Sequence, residues 1–188
     1  AADRVVVTVP LGVLKAGAID FAPTLPPEKQ TAIQRIGYGN YEKLALRFPR
    51  IFWPLGPHRF NYLSDADPPL YMAWLNNAHY TGEPVLIAYH AAGLAQHINS
   101  WSDEKLVAGA LETLRVMFGP DIPDPVSYVR SAWEADLFSR GSYSFSQIGM
   151  TAEDRSALAA PVGDRLFFAG EATHPHYWAT VHGAYETG

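Results

Sequence analysis

The alternation of apolar and polar residues along the chain predicts several strands. Residues 5–9 form a β-branched apolar run typical of a strand covered on both faces, and Pro10 ends it. Residues 41–48 alternate strictly, which predicts a strand with Glu42 on one face and Lys43 on the other. Further strands are expected at residues 70–75, 84–90, 126–132 and 166–169, with turn signals between them that include residues 67–69.

Helices are predicted in two places. Pro27 suits the first turn of a short helix over residues 28–36, and the glycine-rich residues 37–39 that follow are expected to form a turn. Apolar residues recur with helical spacing from 107 to 118, and the polar segment 100–103 before them is a typical cap. We interpret that apolar stripe as core packing without chemistry.

Composition restricts the class of protein. Of the 188 residues, 48% are hydrophobic and 18% are charged, which is ordinary for a globular protein. A net charge of −5 argues against nucleic-acid and anionic membrane partners, because both require clusters of Lys and Arg. The lack of cysteine excludes disulfides and thiolate chemistry, and the histidines show no metal-ligand spacing. No apolar run approaches the length of a membrane span, so we expect a cytoplasmic protein.

The stretch from residue 166 to the end combines features that indicate chemistry. Glu171 follows an apolar run and Gly170, and a carboxylate at the end of a buried strand requires a partner. Thr180 is predicted to cap a helix whose first turn, residues 182–184, has little side-chain bulk. Such a helix start presents bare N–H groups and a partial positive charge. Together these features suggest one wall of a polar cofactor site.

Several motifs resemble those of a known family. Residues 166–173 read LFFAGEAT, residues 2–15 read ADRVVVTVPLGVLK, and residues 37–43 read GYGNYEK. In addition, Trp133 is followed by GSYS at residues 141–144. In this order, and over nearly the whole chain, the motifs resemble those of the flavin-containing amine oxidases, the group of polyamine oxidases, monoamine oxidases and lysine-specific histone demethylases.

The resemblance implies roles for particular residues. Lys43 would hold a water molecule against the flavin N5 and is the expected catalytic residue. Glu171 would accept hydrogen bonds from the ribityl hydroxyls, and Lys43, Glu171 and the turn after Thr180 would meet at one flavin ring. Tyr143 would line the amine pocket as an orienting aromatic. The expected cofactor-binding residues are Thr8, Pro10, Trp133, Gly170, Glu171, Thr180 and Val181, and the expected substrate-binding residues are Tyr143, Tyr177 and Thr180.

The implied parent reaction is the FAD-dependent oxidation of a primary or secondary amine to an imine, with O2 reduced to H2O2. Monoamine oxidases carry a second tyrosine where this chain has Thr180, so a polyamine-like substrate is the closer expectation. No charged docking surface is evident for a histone substrate. The alternatives are an L-amino-acid oxidase or other FAD dehydrogenase of the same fold, and a non-catalytic amine-binding module.

The expected fold class is α+β. Residues 1–16 would end an FAD-binding domain, and residues 17–140 would form a substrate-binding domain with a mixed or antiparallel sheet and helices on one side. Residues 141–188 would be a truncated FAD-contacting segment. A Gly-rich dinucleotide fingerprint is missing from the sequence, so we expect a fragment that retains FAD weakly or not at all by itself. Uncovered apolar surface at residues 5–9 and 166–169 would favour self-association.

Overall fold

The computed structural model describes residues 2–65 and 68–188, and the turn predicted at residues 67–69 begins outside them. In chain order the elements are β1 (Val5–Val7), α1 (Leu11–Lys15), α2 (Pro27–Arg35), β2 (Gly37–Gly39), β3 (Tyr41–Arg47), β4 (Arg59–Asn61), β5 (Ala73–Asn76), α3 (Ala78–Thr81), β6 (Val85–Ala91), α4 (Ala92–Asn99), α5 (Asp103–Phe118), β7 (Ser127–Arg130), β8 (Tyr143–Phe145), α6 (Ala152–Ala159), β9 (Leu166–Phe168), a 3-10 turn (Glu171–Thr173) and α7 (Val181–Thr187). None of the helices in these ranges is long and apolar enough to cross a membrane.

The described residues divide into two compact units. Unit 1 contains residues 2–39 and 133–188, and unit 2 contains residues 40–132 without the two undescribed positions. The predicted domain boundaries were placed at residues 16/17 and 140/141 instead. Residues 17–39 belong with the two ends of the chain because Ile33 and Ile36 pack into the same buried cluster as Leu11, Leu158 and Phe168.

In unit 1 the two ends of the chain meet in one ladder. Strands β1 and β9 pair in parallel, with Val5 opposite Leu166 and Val7 opposite Phe168. The run at residues 5–9 was expected to be covered on both faces, but Val5 and Val6 are 49% and 56% exposed. A strand covered on both faces is therefore not found, because a two-stranded ladder covers little of its own surface. The uncovered apolar surface that was also expected is present at Val5 and Val6, whereas Phe168 and Ala169, expected to be uncovered as well, are buried. Self-association through this surface stays a prediction.

Residues 37–39, predicted to form a turn, instead form strand β2. It pairs antiparallel with β8, placing Gly37 opposite Phe145. The glycine is needed for close packing and not for chain reversal, since a Cβ at Gly37 would lie 2.6 Å from the Phe145 ring. Helix α2 ends at Arg35, and the next residue, Ile36, already has an extended backbone that leads directly into the strand.

A buried lysine connects α2 to α6 in unit 1. Lys29 is 1% exposed, and its Nζ donates hydrogen bonds to the carbonyl oxygens of Ala157 and Leu158 at 2.9 and 2.6 Å. These carbonyls belong to the last turn of α6, which has no intrahelical partners for them. The same ammonium lies 4.0 Å from the centre of the Phe168 ring. Burial lowers the pKa of Lys29 to about 8.

Unit 2 contains a five-stranded antiparallel sheet, in the order β4-β5-β6-β3-β7 within the described residues. The alternation predicted for β3 is confirmed, because Glu42 and Leu44 are buried whereas Lys43 is exposed. The buried face packs against Ile98 of α4 and the apolar stripe of α5. Ser102 caps α5, its Oγ accepting a hydrogen bond from the Lys105 N–H at 3.3 Å. The α+β fold class is therefore confirmed.

His90 is a buried titratable side chain in the core of unit 2. It lies on β6, is 1% exposed, and its ring meets the Tyr71 ring edge-on at 4.8 Å between centres. Neither ring nitrogen has a hydrogen-bond partner among residues 2–65 and 68–188. Burial lowers the pKa of His90 to about 4, because no hydrogen bond supports the protonated ring.

We expect His90 to make the stability of the chain depend on pH. Between about pH 4 and 6.5 the unfolded chain binds a proton at this side chain and the folded chain does not, so the free energy of unfolding falls as the pH falls. The full effect is about 3 kcal/mol. Urea unfolding at pH 7 and pH 4.5 should show most of this loss in the wild type and in His97→Leu, a control at an exposed position of the same unit. His90→Leu should lack it, and an unchanged pH dependence in that variant would contradict the assignment.

Candidate functional site

The carboxylate of Glu171 is the centre of a hydrogen-bond network in unit 1. It accepts hydrogen bonds from the Ser144 N–H at 3.0 Å, the Ser144 Oγ at 2.7 Å and the Ala179 N–H at 2.6 Å. The partners predicted for this carboxylate are thus two residues of the same chain, Ser144 and Ala179. A carboxylate offers about four lone-pair positions, so one acceptor position remains after these three bonds.

A buried arginine supports this network and was not predicted. Arg155 of α6 is 1% exposed, and its Nη1 donates to the Ser144 Oγ at 3.0 Å and to the Ala172 carbonyl oxygen at 2.9 Å. Its guanidinium lies 4.6 Å from the centre of the Trp178 ring. Burial lowers the pKa of Arg155, and the charge of Glu171 opposes that change. The Ser144 hydroxyl accepts a hydrogen bond from Arg155 and donates one to Glu171, so it links the two charged groups.

One sequence signal could have revealed α6. Thr151 and Asp154 form a capping box, in which each side chain accepts a hydrogen bond from the backbone N–H of the other residue. The pattern of a Thr followed three residues later by an acidic residue marks a helix start. The buried face of α6 contains Asp154 and Arg155 beside Leu158, so apolar periodicity alone does not show it.

The loop before α7 is held by its own side chains. The Nδ1 of His174 accepts hydrogen bonds from the backbone N–H groups of His176 and Tyr177, at 3.1 and 2.8 Å. Because Nδ1 is an acceptor, the ring proton is on Nε2, which donates to Glu186 at 2.8 Å. His174 therefore fixes the path of the loop that leads to Thr180.

Thr180 caps α7 as the sequence predicted. Its Oγ1 accepts a hydrogen bond from the Gly183 N–H at 3.0 Å and donates one to the Tyr177 carbonyl oxygen at 2.6 Å. The preceding residue, Ala179, has a positive φ of 60°, a conformation that non-glycine residues rarely adopt. The bond from its N–H to Glu171 holds that conformation.

The predicted cofactor and substrate residues of unit 1 fall into two groups. Gly170, Glu171 and Thr180 lie in the segment that the carboxylate network organises, and Val181 follows directly as the first residue of α7. The other group is exposed at the surface of the described unit and consists of Thr8, Pro10, Trp133, Tyr143 and Tyr177. Tyr143 precedes Ser144, whose backbone and side chain both bind Glu171, so the network also fixes the strand that carries Tyr143.

Lys43, the predicted catalytic residue, lies in unit 2 on the face of the sheet opposite the core. It is opposite Tyr89 across the β3–β6 ladder, and its Nζ is 5.4 Å from the centre of the Tyr41 ring. The rings of Tyr41 and Tyr89 stack with their centres 5.4 Å apart. This face therefore combines a cation with two aromatic rings, and the rings offer an apolar surface to a flat ligand.

Comparison with known proteins identifies the class to which this chain belongs. The family model described as "Flavin containing amine oxidoreductase" matches residues 1–188. The chain is therefore a member of the flavin-containing amine oxidoreductase family, as its motifs predicted.

Three relatives, all from Arabidopsis thaliana, illustrate the similarity. The chain is 41% identical over 193 residues to Lysine-specific histone demethylase 1 homolog 1, in an alignment that covers 99% of this chain and 23% of that protein. It is 42% identical over 189 residues to Polyamine oxidase 2 and 40% identical over 189 residues to Probable polyamine oxidase 4. Both alignments cover 100% of this chain and 37% of the relative. The chain thus spans less than two fifths of these curated relatives.

The residues present fit a flavin cofactor in two respects. Glu171 keeps an acceptor position for a hydroxyl donor after satisfying Ser144 and Ala179. Gly170 has a φ of 132°, and a Cβ built there would meet nothing within 4 Å among the described residues, so a bound group can approach its backbone closely.

We expect Gly183→Ala to destabilise unit 1 through the start of α7. A Cβ at this position would overlap the Tyr177 carbonyl oxygen, and the backbone of the loop would have to move. Overpacking of this kind costs about 1–3 kcal/mol. Urea unfolding of the chain measures the effect. The control is Gly93→Ala in α4, where a Cβ meets nothing within 4 Å and the free energy of unfolding should stay equal or rise. Equal stabilities of the two variants would contradict the packing assignment.

Proposed function

We propose that this chain is part of an FAD-dependent amine oxidase that oxidises a primary or secondary amine, with a polyamine-like amine as the first candidate. Family membership over the whole chain supports the coarse reaction class. The observation that carries the proposal is the position of Lys43, exposed on an aromatic face of a strand whose other face is buried. A lysine that only kept the strand soluble would require neither the aromatic rings on that face nor the GYGNYEK motif around it.

The proposed cofactor is FAD, held by Thr8, Pro10, Trp133, Gly170, Glu171, Thr180 and Val181. When bound, FAD supplies the two-electron oxidation of the amine to an imine, and O2 is then reduced to H2O2. Glu171 contributes its remaining acceptor position, and the backbone at Thr180 and Val181 contributes N–H donors at the start of α7. The Glu171–Ala179 hydrogen bond keeps that backbone in place.

Lys43 is the proposed catalytic residue. Its ammonium has three N–H donors and no acceptor, so it can hold a water molecule or an acceptor atom in a fixed position. Tyr143, Tyr177 and Thr180 are the proposed substrate-binding residues. Tyr143 and Tyr177 are 38% and 50% exposed and offer aromatic faces to an amine.

The substrate class rests on a departure from the monoamine oxidases. Thr180 occupies the position at which the monoamine oxidases have a second tyrosine. Its hydroxyl is already hydrogen-bonded to Tyr177 and Gly183, so we expect it to contribute a small side chain to the substrate pocket and no free hydroxyl. A methylated lysine side chain is also an amine, and the identity to the demethylase homologue, 41%, lies between the identities to the two polyamine oxidases, 40% and 42%. An L-amino-acid oxidase or other FAD dehydrogenase, and a non-catalytic amine-binding module, are the alternatives.

Lys43→Met in the longer protein that contains this chain tests the catalytic assignment. Methionine keeps an unbranched apolar stem but removes the ammonium and its donors, so flavin reduction by an amine, or the following reoxidation, should slow about 10- to 100-fold. Stopped-flow absorbance of the flavin and peroxide release measure the two half-reactions. Lys105→Met, which removes a lysine of α5 that lies over Trp101, is the control and should react like the wild type. A non-catalytic module would show no turnover in any variant.

FAD retention by the 188-residue chain alone is a second test. The proposed cofactor residues hold one side of the flavin, and no dinucleotide fingerprint is present in the sequence for the diphosphate. We expect the purified chain to lose FAD on dialysis and to show no turnover with an amine panel. A yellow preparation that keeps stoichiometric flavin would contradict this expectation.

A further inference from the structure

Ser131 makes an unusual pair of contacts with Lys43. Its backbone N–H donates to the Lys43 carbonyl oxygen at 2.9 Å, and its Oγ accepts a hydrogen bond from the Lys43 N–H at 2.8 Å. The regular ladder between β3 and β7 runs from Arg47 opposite Ser127 to Leu44 opposite Arg130. Ser131 therefore extends the pairing by one residue beyond the ladder, and it does so at Lys43.

The serine hydroxyl is itself fixed from the buried side of the sheet. Because Oγ accepts from the Lys43 N–H, its single proton is free to be donated, and it is donated to the Oε2 of Glu42 in a short hydrogen bond. Glu42 is 2% exposed, next to Lys43 in sequence and on the opposite face of β3. A buried carboxylate requires a donor, so the hydroxyl and the carboxylate hold each other in one arrangement.

The position of Lys43 in the sheet explains why such a contact is useful. β7 is an edge strand, and its regular pairing with β3 stops at Leu44. Strand ends at an edge open more readily than the centre of a sheet. A lysine side chain has many rotamers, so its ammonium is placed precisely only if its backbone is held.

We propose that Ser131 is a positioning residue for Lys43, and that the buried Glu42 carboxylate fixes the serine for this purpose. Glu42 orients the hydroxyl, the hydroxyl binds the Lys43 N–H, and the Ser131 N–H binds the Lys43 carbonyl. Both backbone groups of the lysine are thereby held on the side of β7, and the direction of its side chain on the open face is set. This inference rests on the proposed function of Lys43.

A double-mutant cycle in the flavin-loaded, full-length protein tests the inference. The variants are Ser131→Ala, Lys43→Met and the double variant, with flavin reduction and reoxidation followed separately by stopped flow. If Ser131 acts through Lys43, Ser131→Ala should slow the half-reaction that Lys43→Met slows, by about tenfold, with little change in the substrate concentration for half-saturation. In the Lys43→Met background Ser131→Ala should have no further effect, because residues that act as one unit are not additive.

Two further variants separate positioning from general stability. Ser131→Thr keeps the hydroxyl, so the half-reaction that Ser131→Ala slows should run at the wild-type rate in this variant. Ser127→Ala makes the same deletion at the other end of β7, opposite Arg47, and should react like the wild type. Independent, multiplicative effects of Ser131→Ala and Lys43→Met would overturn the inference, as would an unchanged rate in Ser131→Ala beside a slow Lys43→Met. An unchanged rate in Lys43→Met would instead overturn the proposed function together with this inference.

Hydrogen exchange on the 188-residue chain gives a readout that needs no flavin. The Lys43 amide should exchange at least about tenfold faster in Ser131→Ala than in the wild type, since its acceptor is removed. The Leu44 amide of the same strand is the internal reference. Glu42→Gln, which keeps the shape of the side chain, should accelerate exchange at Lys43 in the same direction. Equal protection of the Lys43 amide in all variants would show that the serine does not hold it.

Discussion

The carboxylate of Glu171 is the interaction on which the C-terminal part of unit 1 depends. A buried or half-buried carboxylate is stable only with donors around it, and here the donors come from Ser144 and Ala179. By taking these donors it fixes β8 on one side and the start of α7 on the other. Arg155 adds a positive charge behind Ser144 and stacks on Trp178. The segment that carries most of the proposed cofactor contacts is thus held by electrostatics as much as by apolar packing.

The same principle operates in unit 2 with a different outcome. Glu42 is buried beneath the sheet and Lys43 is exposed above it, because successive residues of a strand point to opposite faces. The buried carboxylate binds Ser131, and Ser131 binds the backbone of Lys43. The need of the buried Glu42 carboxylate for a hydrogen-bond donor is in this way connected to the orientation of Lys43 on the open face. In both units a carboxylate that must be satisfied organises backbone near a proposed functional group.

The sequence predicted those features in which one local pattern determines the structure. The strict alternation of β3, the cap and stripe of α5, the Thr180 cap and the need of Glu171 for a partner are all of this kind. It did not predict which residues would donate hydrogen bonds to Glu171, because Ser144 and Ala179 are brought to this carboxylate by tertiary folding. Helix α6 was missed because its buried face is partly charged, and β2 was taken for a turn because glycines that admit the Phe145 ring look like glycines that reverse a chain. Helix α4 begins after Ala91 without a side-chain cap, so its start has no local signal.

The parallel pairing of β1 with β9 has a consequence for biosynthesis. Unit 2 is one continuous stretch of chain, whereas unit 1 is assembled from two separate stretches, residues 2–39 and 133–188. On the ribosome, the continuous unit is fully synthesised while β9 is still to be translated, so it is free to fold first. The ladder between β1 and β9 can therefore close only after unit 2 has been translated.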